Sequence, residues 1–152
     1  MMQVLISQNC FQDLMQYTYS PKEILVNLKG KFERNIFYLV GLETLLIGEK
    51  DFIPSQQISK PLIKALRTSN IIGFYHTHPN LDSNGNSLLS GSDINFFNNI
   101  YSYWDKEVKK DFPLLLGVGS TTSENIGVLY DIKFYILSKT GQPQELISHI
   151  IS

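Results

Sequence analysis

Two of the chain's three histidines stand one residue apart, in the stretch Gly73-Phe74-Tyr75-His76-Thr77-His78-Pro79. That spacing constrains the fold more than any other feature. Residues i and i+2 face the same side only on an extended backbone. A strand over 71–76 therefore brings both imidazoles to one place, whereas a helix scatters them. The apolar run Ile71 to Tyr75 suits a buried strand. Pro79 is expected to force the chain out of the sheet, leaving the pair at a strand end, where sites are accessible.

A His pair needs a third donor to hold a metal ion. Ser90-Gly91-Ser92-Asp93 follows a polar stretch containing Asn84-Gly85 and opens a helix expected over 92–109. A carboxylate in a first helical turn is electrostatically favoured, and Asp93 is placed to ligate. Two imidazoles and one carboxylate suit Zn²⁺ at about 2.0–2.2 Å per bond, with a fourth position left for water, as in a catalytic site. Such a site also needs a proton carrier. Pro21-Lys22-Glu23 offers one, but 14 acidic residues compete for the role, so spacing alone does not single it out.

Taken together, these residues resemble the JAMM (MPN-plus) metallopeptidase family, whose pattern is an upstream Glu, then His-x-His-Pro, then Ser-x-x-Asp. The resemblance covers nearly the whole chain. It implies that His76, His78 and Asp93 hold one zinc ion, that Glu23 moves the proton, and that Ser90 steadies the oxyanion. Glu43 and Glu49 match the position of the upstream Glu less well. Ten residues separate Pro79 from Ser90, which is long for the family. No large insertion is present like those that grip polyubiquitin chains. The resemblance therefore implies a minimal isopeptidase acting after the C-terminal tail of a ubiquitin-like modifier or a sulfur-carrier protein, with bacterial antiphage conjugation systems among the settings it implies. Two other readings compete: an inactive MPN scaffold that only binds partners, and an Fe(II) oxygenase built on the same formal ligand set.

The remaining segments give the expected fold. Strands are expected at 3–6, 24–28, 35–47 (one long strand, or two with a bulge near Gly41), 112–117 and 125–137. Helices are expected over 11–19, 54–68, 92–109 and 142–151. Without regular βαβ alternation, this predicts one α+β domain over residues 1–152, a mixed α/β/α sandwich. The resemblance makes it a cytidine-deaminase-like core with a mostly antiparallel central sheet flanked by helices. An apolar fraction of 43% against 18% charged is that of a folded chain. A net charge of −1 with no basic stripe argues against nucleic acid as a partner. Cys10 is the one cysteine, so no internal disulfide can form. No apolar run reaches the roughly 18 residues of a membrane span, and the N-terminus lacks the pattern of a secretion signal. The chain reads as cytoplasmic. Its oligomeric state is not legible.

Overall fold

The computed structural model describes residues 1–20, 24–47, 64, 66–68, 70–81, 98–102, 104–108, 111–124, 127–137 and 142–151. Its strands are β1 (Gln3–Ser7), β2 (Ile24–Glu33), β3 (Ile36–Ile47), β4 (Ile71–Leu81), β5 (Leu115–Glu124), β6 (Gly127–Leu137) and β7 (Pro143–Ile151), with helix α1 (Gln8–Thr18) after β1 and a π-helical segment before β5. The strands close into a barrel in the order β1-β3-β2-β4-β5-β6-β7. This corrects the expected α/β/α sandwich: the sheet is not an open central layer between helices.

The closure depends on the segment that the sequence presents as a terminal helix. Leu146, Ile147, Ile150 and Ile151 fall at helical spacing, yet 143–151 is strand β7. It pairs antiparallel with β6 through Phe134↔Leu146 and parallel with β1 from Gln3↔Ile147 to Ser7↔Ile151. Pairing at both ends outweighs the local pattern: 143–146 pair with β6 and 147–151 with β1, and the barrel closes through the two.

Elsewhere local chemistry decides. Ser7 caps α1, its hydroxyl oxygen accepting from the Cys10 amide at 3.3 Å. β2 and β3 form a hairpin through Arg34 and Asn35, both with positive φ (53° and 64°). Two consecutive left-handed residues match the twist of the flanking strands. The β2/β3 register slips between Lys29 and Gly30, opposite Gly41 and Leu39, so β3 is one strand with a bulge at Val40. β4 continues through Pro79 to Leu81 and does not leave the sheet there. Its pairing with β2 stops at His76, and beyond that point it runs with β5 alone among the described residues. A residue without an N–H is tolerated on such a one-sided stretch.

Two apolar layers follow from strand alternation. The inner one gathers Val4, Val26, Leu28, Tyr75 and Phe134 with Cys10 and Leu14 of α1. The outer one, on the β2-β4-β5-β6 wall, gathers Leu25, Phe74, Leu116 and Val118 under Leu66, Ile100 and Trp104. The helical residues covering this wall are 64, 66 and 98–102, followed by a π-helical segment Trp104–Val108. The Trp104 indole N–H donates to the Phe112 carbonyl at 2.9 Å, fixing that segment to the wall. The expected helix over 54–68 is described only at 64 and 66–68, and the one over 92–109 at 98–102 and 104–108. Among the described residues, no helix is long and apolar enough to cross a membrane.

Candidate metal and proton-transfer site

The segment 71–81 is extended throughout, as the His-x-His pair requires. His76 lies on the outer wall in register with Leu25 of β2 and Val118 of β5, and the backbone of His78 pairs with Ser120. His76 is buried at 7% exposure, with its Nδ1 atom enclosed. Ser120 is also buried and stands in register with Asp131 of β6. Glu23, Ser90, Asp93 and the side chain of His78 lie outside the described residues. Within the described residues, no three His, Cys, Asp or Glu side chains form a metal-binding group.

What the described residues do show is how the His-x-His strand is tied to its neighbours. The backbone N–H of Ile24 donates to the Thr77 hydroxyl oxygen at 2.9 Å. Thr77 is fully buried. The residue between the two histidines is thus bonded to the residue that follows Glu23 in the chain. On the other side of the same short segment, the Tyr75 hydroxyl is bonded to the Thr18 hydroxyl. Thr18 in turn donates to the Leu14 carbonyl oxygen at 2.6 Å, so it accepts from Tyr75. The ends of α1 and β2 that flank 19–23 are both fixed to the strand of the histidines.

Sequence reasoning singled out neither Thr77 nor Thr18. The signals were a hydroxyl enclosed between two candidate ligands and a Thr just before a helix stop. Glu43, the alternative proton carrier, sits on β3 in register with Asn27 of β2, which in turn opposes Phe74 of β4. A whole strand lies between Glu43 and the histidines. Its carboxylate is also engaged by the Lys29 ammonium at 3.1 Å. Cys10 is buried, and burial, with Asp13 adding to it, pushes its thiol up to about 12. A thiol so disfavoured for ionisation is no nucleophile at neutral pH.

Asn27 is the anomaly of this wall. It interrupts the apolar run Ile24-Leu25-Val26-Asn27-Leu28, is fully buried, and neither its Oδ1 nor its Nδ2 has a hydrogen-bond partner among the described residues. Leaving buried polar groups unpaired costs about 1–3 kcal/mol each. Asn27→Leu is therefore expected to stabilise the protein by about 1–3 kcal/mol, read as a higher urea midpoint at unchanged slope. A lower midpoint would show that the carboxamide is bonded after all.

No protein-family model matches the chain, and no curated protein matches it. Its fold is similar to the solution structure of protein DSY2949 from Desulfitobacterium hafniense, with a TM-score of 0.61 and 13% identity, over 99% of this chain and 94% of that one. At that identity the likeness is one of fold alone.

Proposed function

We propose that the chain is a zinc-dependent isopeptidase of the JAMM type, which cuts the bond after the C-terminal tail of a ubiquitin-like modifier or a sulfur-carrier protein. The observation that carries this reading is the Ile24–Thr77 hydrogen bond. It joins the two parts of the motif that are 53 residues apart in sequence: the neighbour of Glu23, and the residue flanked by His76 and His78.

The donor set fits zinc. An extended backbone at 76–78 is the condition for both imidazoles to serve one ion, and Asp93 is the carboxylate proposed to complete the set. When bound, the ion supplies Lewis acidity to the scissile carbonyl and lowers the pKa of water. The chain's own groups do the rest. The Glu23 carboxylate takes the proton of the attacking water and delivers it to the departing lysine amine as the C–N bond breaks. The Ser90 hydroxyl donates to the oxyanion that forms on the carbonyl oxygen. The stretch of β4 beyond His76, paired with β5 alone among the described residues, offers an edge along which an extended tail can lie. Cytoplasmic residence fits a reduced Cys10 and remains part of this proposal.

Metal analysis and a cleavage assay test the reading together. The purified protein is expected to carry about one zinc per chain. It is also expected to release a lysine or short reporter peptide joined to a ubiquitin-like domain with a Gly-ended tail. His76→Ala/His78→Ala should lose both properties. Full zinc in that double variant would show the ligands to be elsewhere. A wild-type chain that holds zinc but cuts no fusion would leave a binding scaffold.

A further inference from the structure

The Tyr75–Thr18 bond lies on the inner layer of the barrel, behind the wall that carries the histidines. Both residues are fully buried. The bond has a fixed polarity, because the Thr18 proton is committed to the Leu14 carbonyl oxygen at 2.6 Å. The space for it is built into β5. A methyl group at Gly119 would overlap the Tyr75 hydroxyl and stand 2.8 Å from the Thr18 oxygen. A methyl group at Gly117 would stand 2.6 Å from the Tyr75 ring. These two glycines alternate on one strand, so the room is made for one ring in one position.

The end of α1 has its own hydrogen bonds, from the Tyr19 amide to the Met15 carbonyl at 3.0 Å and from the Ser20 amide to the Tyr17 carbonyl at 3.1 Å. Thr18 therefore connects a capped helix end to the residue before His76. Five residues, 19–23, separate it from Ile24, which is itself bonded to the residue after His76. The two bonds bracket His76 on its strand, and at their other ends they bracket the connection that ends in Glu23.

We propose that Thr18 and Tyr75 form a positioning clamp, which sets where the chain leaves α1 relative to His76 and thereby governs proton transfer by Glu23. The clamp rests on the isopeptidase reading above. Neither residue touches substrate; both act through the placement of Glu23. Displacing a reacting group by a fraction of its ideal distance costs rate and leaves ground-state binding intact.

The test uses the zinc-loaded full chain and four variants: Tyr75→Phe, Thr18→Val, Thr18→Ser and the double Tyr75→Phe/Thr18→Val. Tyr75→Phe and Thr18→Val should each lower kcat by roughly ten- to a hundredfold, with KM and zinc content unchanged. Thr18→Ser, which keeps the hydroxyl, should retain activity. The double variant should be no worse than Thr18→Val alone, because the Tyr75–Thr18 bond is already lost there. Amide exchange gives a readout free of activity: the Tyr19 and Ser20 amides should exchange roughly tenfold faster in Tyr75→Phe. Wild-type kcat in a folded, zinc-loaded Tyr75→Phe protein overturns the clamp and leaves the isopeptidase standing. A lower melting temperature with unchanged kcat reduces the pair to a packing contact and overturns it too. A wild-type chain without zinc or cleavage overturns the isopeptidase reading itself, and the clamp's role in proton transfer with it.

Discussion

Glu23→Gln is expected to retain its zinc and its fold and to lose roughly 10²–10⁴ in hydrolysis rate, the usual contribution of a general acid–base group. The substitution is nearly isosteric and removes one titrating proton site. The carboxylate is proposed to move a proton and not to hold the ion, so metal content should stay at the wild-type level. A group that acts only on the way to the transition state lowers kcat and kcat/KM together and leaves KM in place. The measurement is steady-state cleavage of the fusion, with zinc determined on the same preparation. Equal activity would move the base to another acid. Glu43 is then a poor substitute, because a strand intervenes and Lys29 already holds it. Loss of zinc alongside activity would instead make Glu23 a ligand, which the motif does not provide for.

Gly73→Ala is expected to be strongly destabilising. Gly73 lies in register with Leu115, three residues before His76. A methyl group there would overlap the Leu115 carbonyl oxygen and stand 2.6 Å from its carbon, and both atoms are backbone. No rotamer change relieves that contact; β4 and β5 have to separate. Overpacking costs about 1–3 kcal/mol and occasionally more, and a clash with a paired strand belongs at the upper end. For a chain of this size, about 3 kcal/mol corresponds to a melting point lower by roughly 6–12 °C. Gly41→Ala is the control, because its methyl group would meet only the Lys29 side chain, at 3.8 Å. Thermal unfolding followed by circular dichroism compares the two. Equal melting points would mean that β4 and β5 are not tightly apposed at this position. Because His76 and His78 share that strand, Gly73→Ala is also expected to weaken zinc retention, whereas Gly41→Ala should not.

The extended backbone at the two histidines was more legible in the sequence than the barrel was. His-x-His-Pro states its own geometry, since an extended backbone is the only local conformation that makes the spacing useful, and 71–81 is a strand. The irregularity near Gly41 was partly legible: a glycine inside an apolar run left one long strand or two with a bulge open, and β3 is one strand that carries the bulge. The barrel was not. Its closure is decided by partners 144 residues apart, such as Gln3 and Ile147, and no local pattern reports them. Leu146, Ile147, Ile150 and Ile151 satisfy a helical period as well as a strand, so the choice falls to tertiary pairing. Pro79 misled for a related reason: it disfavours a doubly paired strand, and whether β4 has a neighbour on both sides at that point cannot be read locally. Thr18 and Tyr75 are 57 positions apart, and their bond is invisible until the strands are placed.

The parallel pairing of β1 with β7 bears on how the chain is made. β1 emerges from the ribosome first among the strands, but the partner on one of its sides is Pro143–Ile151. At about 5–20 residues per second, that partner follows on the order of ten seconds later. During this interval β1 presents an unpaired edge, and Val4 and Ile6, which end up fully enclosed, have only α1 and β3 to pack on. Contacts of such long separation also form slowly once the chain is complete. Heat or a shortage of chaperone during synthesis should therefore lower the yield of folded protein well below the melting point of the finished barrel.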